Sequence, residues 1–170
     1  MLNVFYPDDD VASTYQIPFE HLYETGIRGL IFDIDNTLVP HGAPADKRAR
    51  ELFLRLRHIG FDICLLSNNK ESRVASFAGQ VGGAKYIFKG NKPSKKGYEK
   101  AMELMGTRRE NTVFVGDQLF TDVFGAKRTG IYSILVKPIN PKEEIQIVLK
   151  RYLEAVVLYF YRRRKRRLGI

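Results

Sequence analysis

"GLIFDIDNTLVPHG", residues 29–42, opens on an apolar run, places an aspartate at its end, adds one more apolar residue, and then a second aspartate with a threonine two places on. A continuous apolar run of this length reads as a strand buried on both faces, as in parallel sheets. Carboxylates are out of place at the covered end of such a strand unless something binds there. Residues i and i+2 at a strand end point to the same side, so Asp33 and Asp35 can share one site while Ile34 turns into the core.

Apolar runs bounded by turn residues recur at "FDICLLS" (61–67), "KYIF" (85–88), "NTVFVGD" (111–117) and "YSILVK" (132–137). Helical patterns fill the gaps. Ala49, Leu52, Phe53, Leu56 and Ile59 make one apolar stripe, stopped at Gly60. Val74, Phe77, Ala78 and Val81 make a second, ended by Gly82-Gly83, and Tyr98, Ala101, Met102 and Met105 a third, ended by Gly106. A shorter helix fits Asp122 to Arg128, with Gly130 as its stop. This alternation predicts a three-layer, doubly wound (Rossmann-like) α/β parallel sheet of about five strands. Ligands bind such sheets at the carboxyl ends of the strands. Asp33, Asp35, Ser67, Asn68 and Asp117 all follow strand patterns immediately.

A length of 170 residues, 44% of them hydrophobic, predicts one domain with a single core over residues 1–150, with 1–27 as a lead-in. Residues 151–170 read as the end of a C-terminal helix and a basic tail. The single cysteine, Cys64, lies in an apolar run and reads as a core residue, excluding a disulfide or a multi-cysteine metal site within the chain. The start "MLNVFYPDDD" lacks the basic and apolar regions of a secretory leader. The longest apolar run, Ala155 to Tyr161, falls far short of the roughly 20 residues that span a bilayer. The expectation is a cytoplasmic protein, soluble or peripheral on a membrane. Of the net charge of +9, +7 lies in residues 150–170, so the basic character belongs to the tail.

Asp117 closes the run "NTVFVGD", and Asp122 follows five residues later on the turn into a helix. Three or four converging carboxylates without a counter-charge repel and raise one another's pKa. An oxygen-loving divalent cation resolves this, and Mg²⁺ takes few protein carboxylates, several waters and a phosphate. Ser67 and Asn68 offer a hydroxyl and an amide to phosphoryl oxygens. Lys92, in "GNKPSKKGY", sits on a loop opening a helix, where an ammonium and free N–H groups favour an anion. Lys89, Lys95 and Lys96 flank it, and each could take that role. Together these groups make a phosphoryl-transfer site.

"DIDNT", "LLSNN", "KP" and "GDQLFTD", in this order at the ends of successive strands, resemble motifs I to IV of the haloacid dehalogenase (HAD) superfamily over residues 28–137. The resemblance implies that Asp33 attacks phosphorus to form an aspartyl-phosphate, and that Asp35 protonates the leaving alkoxide and then activates water. It implies Mg²⁺ held by the Asp33 carboxylate, the Asp35 backbone carbonyl and Asp117, with Asp122 orienting water, and phosphoryl oxygens bound by Ser67 and Lys92. Relatives that keep the aspartyl-phosphate, such as P-type ATPases, carry threonine at the second aspartate, so Asp35 implies a phosphatase.

Between Asp35 and Ser67 there is space for one loop and one helix, and between Ser67 and Lys92 for one helix and one strand. No room is left for a cap domain, and an open site suits head groups on large substrates. "FDIDNTLVP", "LLSNN", "KGNKPSKKGY" and "VGDQLFTDVFGAKRTGI" resemble the capless YqeG-type group (subfamily IIIA), related to mitochondrial phosphatidylglycerophosphate phosphatases. That resemblance implies phosphatidylglycerophosphate as substrate, a soluble or protein phosphomonoester being the alternative.

Ile145, Val148, Leu149, Tyr152, Leu153, Val156, Val157 and Phe160 fall on one helical stripe, whose first half is expected to dock on the sheet. From Ala155 the helix is apolar all round, and Tyr159 and Tyr161 precede the basic run "RRRKRR". Residues 159–167 are thus expected to meet an anionic phospholipid surface, or RNA through their cations, as in an RNA- or ribosome-binding module. His41 reads as a surface residue near the site mouth, Asp8 to Asp10 as a solvated turn, and "PFEHLYETG" as a short helix.

Overall fold

Alternate residues of each apolar run face opposite sides of a sheet, and here both sides are covered. The strands are β1 (Asp9–Val11), β2 (Gly29–Phe32), β3 (Asp62–Leu66), β4 (Lys85–Ile87), β5 (Thr112–Gly116) and β6 (Tyr132–Val136), all parallel in the order β1-β6-β5-β2-β3-β4. The helices are α1 (Phe19–Glu24), α2 (Lys47–Ile59), α3 (Glu71–Gln80), α4 (Lys95–Met105), α5 (Phe124–Thr129) and α6 (Ile145–Leu168). The computed structural model describes residues 2–140 and 145–168, with side chains throughout except at residues 2, 145–149 and 168.

Leu30, Phe32, Leu65, Val113 and Val115 pack on one side of the sheet with Phe19 of α1, Leu52, Phe53 and Leu56 of α2, and Val74 and Phe77 of α3. Ile31, Cys64, Leu66 and Phe114 face the other way, against Tyr98, Ala101 and Met102 of α4 and Ala126 of α5. This is the predicted three-layer α/β arrangement. Cys64 is buried and unpaired, and burial pushes its thiol up to about 12, so it packs as an apolar residue. Helix boundaries follow local chemistry. Asp46 accepts the Ala49 N–H at 2.7 Å to start α2, and Gly60, at φ 113°, ends it in the left-handed region.

Two expectations are corrected. The sheet has six strands, because Asp9–Val11 pairs with β6, Asp9 opposite Ile134. Asp9 and Asp10 are thus strand residues, while Asp8 sits at an exposed bend with its carboxylate engaged: its Oδ2 accepts the Ser133 N–H (2.8 Å) and Oγ–H (2.9 Å), and its Oδ1 meets Lys127 Nζ at 2.6 Å. Charge-assisted hydrogen bonds hold this edge where hydrophobic burial does not.

The second correction concerns α6, one unbroken helix from Ile145 to Leu168. Ile145, Val148 and Leu149 of the expected docking stripe lie outside the described side chains. Of the rest, Val157 is buried, but Tyr152, Leu153, Val156 and Phe160 are exposed. The helix instead turns inward Arg151, Glu154, Val157, Leu158 and Tyr161. The surface it meets explains the choice: the Leu119 N–H donates to Glu154 Oε1 at 2.9 Å, and Asp117 accepts from Arg151. Leaving either group buried and unpaired costs about 1–3 kcal/mol.

Asp8→Ala removes the acceptors that staple β1 to β6. It is expected to destabilise the fold by about 1–3 kcal/mol in urea unfolding; a loss below about 0.5 kcal/mol would mean that backbone pairing alone holds the edge.

Candidate active site

The ends of β2 and β5 lie side by side, Phe32 opposite Val115, and each strand is followed at once by an aspartate. Asp33 therefore falls beside Gly116, and Asp117 follows one residue further on the neighbouring strand end; both acids are buried. Asp122 joins them from a π-helical turn, Leu119–Val123, which precedes α5. That turn is held from below by Tyr98, whose hydroxyl lies 2.9 Å from the Thr121 carbonyl and 3.1 Å from that of Asp122. Gly116 makes the close approach of Asp122 feasible, since a Cβ there would lie 2.4 Å from Asp122 Oδ2. The three acids each bring a carboxylate oxygen within 4.8 Å of the others.

Two cations enter this cluster. Lys92 Nζ donates to Asp33 Oδ1 at 2.6 Å and to Asp122 Oδ1 at 2.7 Å. Arg151 Nη2, from α6, donates to Asp117 Oδ2 at 2.8 Å, and its Nη1 to the Asp117 carbonyl at 3.2 Å. The Thr37 hydroxyl lies 3.4 Å from both Asp33 Oδ2 and Asp117 Oδ1, spanning the two acids. Burial, then repulsion from Asp122 and Asp33, pushes Asp117 up to about 8 against the pull of Arg151. Burial raises Asp33 to about 6, with Lys92 opposing and Asp122 adding to the rise. For Lys92, burial disfavours the charge, but Asp122 and Asp33 overcome it and hold the ammonium charged.

Among the four candidate lysines, Lys89, Lys95 and Lys96 are exposed, whereas the Lys92 side chain is 4% exposed and reaches the acids. Ser67 is buried at the end of β3, its Oγ accepting the Asn69 N–H at 3.1 Å. Asn68 does not offer its amide to the site as expected. Its Oδ1 accepts the Lys92 N–H at 2.7 Å and its Nδ2 donates to the Lys92 carbonyl at 3.1 Å. The amide clamps the loop that carries Lys92.

The Asp35 carboxylate stands apart from the cluster. Its Oδ1 accepts from the Gly42 N–H (2.8 Å) and from Arg73 Nη2 (2.9 Å), with Asn69 Nδ2 3.5 Å from Oδ2. Burial alone would raise it, but the Gly42 hydrogen bond and Arg73 prevail and hold it below the ordinary carboxylate range. His41, exposed as expected, adds a smaller pull. Thr37, Arg73, Tyr98 and Arg151 are site residues that sequence reasoning missed. Thr37 alone carried a signal, its place in "DIDNT".

A family model described as "HAD-hyrolase-like" matches residues 90–139. A relative from Bacillus subtilis (strain 168), "Probable phosphatase YqeG", is 35% identical over 94% of this chain and 93% of its own length. The chain belongs to the haloacid dehalogenase superfamily. It is an HAD-type phosphatase, similar to YqeG across nearly its whole length. The chloroplastic/mitochondrial phosphatidylglycerophosphate phosphatase 1 of Arabidopsis thaliana is 27% identical over 89% of this chain, which spans 47% of that protein. Among solved structures, the cobalt-bound form of a deoxy-D-mannose-octulosonate 8-phosphate phosphatase from Haemophilus influenzae matches with a TM-score of 0.52. It is 15% identical over 69% of this chain and 70% of that one, a likeness of fold.

Three buried carboxylates with only oxygen donors suit a hard divalent cation. Because Asp33 and Asp117 are raised, the folded, metal-free chain holds protons that the unfolded chain has released. The stability that these two groups contribute is therefore fully present below about pH 4 and is lost as pH climbs toward about 8. Mg²⁺ competes with those protons, so its effect on the unfolding midpoint should grow over the same window. A midpoint indifferent to Mg²⁺ and EDTA at every pH would rule the cluster out as a cation site.

Proposed function

We propose that this HAD phosphatase is Mg²⁺-dependent, works through an aspartyl-phosphate on Asp33, and removes the terminal phosphate of phosphatidylglycerophosphate at a membrane surface. The observation that carries the reading is the buried Asp33–Asp117–Asp122 cluster with the Lys92 ammonium set between two of its members.

Asp33, Asp117 and Asp122 would hold the cation together with the Asp35 backbone carbonyl; bound there, Mg²⁺ neutralises charge on the phosphoryl oxygens. An Asp33 carboxylate oxygen attacks phosphorus, the bond to the ester oxygen breaks, and Asp35 gives its proton to the departing alkoxide. Asp35 then takes a proton from water as that water attacks phosphorus, the bond to Asp33 breaks, and inorganic phosphate leaves. Lys92 and Ser67 bind phosphoryl oxygens throughout. As a proton donor Asp35 must let go of Arg73, which holds it ionised before substrate arrives. Arg73 Nε, buried and without a hydrogen-bond partner among the described residues, has a donor to spare for the exchange.

The substrate reading is supported by the similarity to the Arabidopsis protein and by the open rim. The connections from β2 to β3 and from β3 to β4 hold one helix each, α2 and α3, with no cap between them. A lipid head group can reach such a site without leaving its bilayer.

Asp33→Asn is expected to lower turnover of an aryl phosphate by at least about a thousandfold, and EDTA to abolish it reversibly. Rates equal to the native protein's would end the enzymatic reading. On a panel of phosphomonoesters, phosphatidylglycerophosphate in mixed micelles should give a kcat/KM at least about tenfold above the soluble esters; a preferred soluble or protein ester would replace the lipid. Arg73→Gln should move the pH limb governed by Asp35 upward. A limb that stays in place would remove Asp35 from proton transfer.

A further inference from the structure

The outward face of α6 is the least ordinary surface of the molecule. Ten large hydrophobic residues are exposed among the described residues, and five of them lie on this helix: Tyr152 (71%), Leu153 (58%), Val156 (55%), Tyr159 (61%) and Phe160 (43%). The others, Val4, Leu54, Leu104, Tyr132 and Ile139, are dispersed over other elements, as single apolar residues on any surface are. At about 100° per residue the five make one continuous stripe, opposite the buried Glu154, Val157 and Tyr161. It extends about 12 Å along the axis.

The same face then turns cationic. Arg163 and Arg167 prolong the stripe, and Arg162 and Arg166 lie along its side, all four exposed. Arg164 and Lys165 instead turn back, to Asn3 at 2.7 Å and to Asp10 and Asp9 at 3.6 and 3.9 Å. Among the described residues no helix is long and apolar enough to cross a membrane, so α6 is not a spanning segment.

We infer that this face of α6 docks the protein on an anionic lipid bilayer. A bilayer interface serves both halves of the stripe at once: Leu153, Val156 and Phe160 enter the acyl boundary, the tyrosines sit at headgroup depth, and the arginines meet lipid phosphates. RNA would satisfy the cations and leave the apolar turns in water. A second copy of the chain would cover the apolar turns and leave the cations unmatched. The helix lies flat, with its inner side on the sheet edge, and Arg151 at its inner end is bonded to Asp117. A cleft of about 520 Å³ runs from Asp117 past Arg151, Glu154 and Leu158 to Arg162. Docking therefore holds the catalytic rim beside the membrane, whichever phosphomonoester is hydrolysed there.

The test is sedimentation of the full chain with vesicles of phosphatidylcholine alone or with about one-third phosphatidylglycerol. The native chain should partition onto the anionic vesicles and hardly onto the neutral ones. Leu153→Glu with Phe160→Glu should abolish partitioning, and Arg163→Gln, Arg166→Gln and Arg167→Gln together should weaken it on the order of a hundredfold. These positions are exposed, so unfolding midpoints and aryl-phosphate turnover should stay native, which separates failed docking from failed folding or catalysis. The inference is overturned if the native chain ignores anionic vesicles or if the substituted chains bind them equally. It also falls if RNA is retained while vesicles are not, or if Leu153→Glu dissociates a dimer and leaves partitioning intact.

Discussion

One buried ammonium between two carboxylates holds the rim of this sheet together. With oxygens within 4.8 Å of one another and an effective dielectric constant near 20, each pair of ionised acids repels by about 3.5 kcal/mol or more. Lys92 contacts Asp33 and Asp122 directly, and Arg151 neutralises part of Asp117. Neither cation would be tolerated there without the acids, nor the acids without them. The remaining polar contacts serve this arrangement: Asn68 clamps the Lys92 backbone, and Tyr98 holds the turn that presents Asp122. Burial, with repulsion among the acids, still holds Asp33 and Asp117 raised against the pull of those cations. Two cations brought by separate segments thus hold the acids in place.

The topology explains why the acids meet where they do. From β2 the chain winds outward through α2 to β3 and β4; from β5 it winds the opposite way through α5 to β6. β2 and β5 are neighbours, so the winding reverses between them, and the connections leaving their carboxyl ends diverge to open a crevice. Asp33 and Asp117 are the first residues beyond those two strands. One place earlier on β2 the side chain is buried in a core layer, as Phe32 is.

This placement also explains what could be read from the sequence. The five apolar runs, their helices, Asp33, Asp117 and the capless spacing were legible because each is a local pattern with one physical meaning. Lys92 was legible only by its context, since Lys89, Lys95 and Lys96 carry the same group and differ in burial alone. Asn68 shows the limit: sequence reveals that an amide is present, not that both its ends are taken by the Lys92 backbone. Arg73 and Arg151 lie on helices far along the chain from the acids they bind, and nothing local marks either. β1 has three residues, two of them acidic, and no burial pattern to betray it.

α6 was misread for a related reason. Apolar periodicity forecasts the inner face when the surface to be covered is apolar, but the edge it meets offers a backbone N–H at Leu119 and carboxylates at Asp117 and Asp10. Arg151, Glu154 and Tyr161 answer those groups, and the gain in satisfied polar contacts outweighs burying a stripe of tyrosine, leucine and valine. The helix keeps its apolar stripe outward, and its inner face is polar because of the acids and the backbone N–H that it meets. Arg151 and the outward stripe therefore belong to one rigid element: the helix that presents the stripe also carries a cation into the buried acid cluster, so the charge at Asp117 depends on where α6 rests.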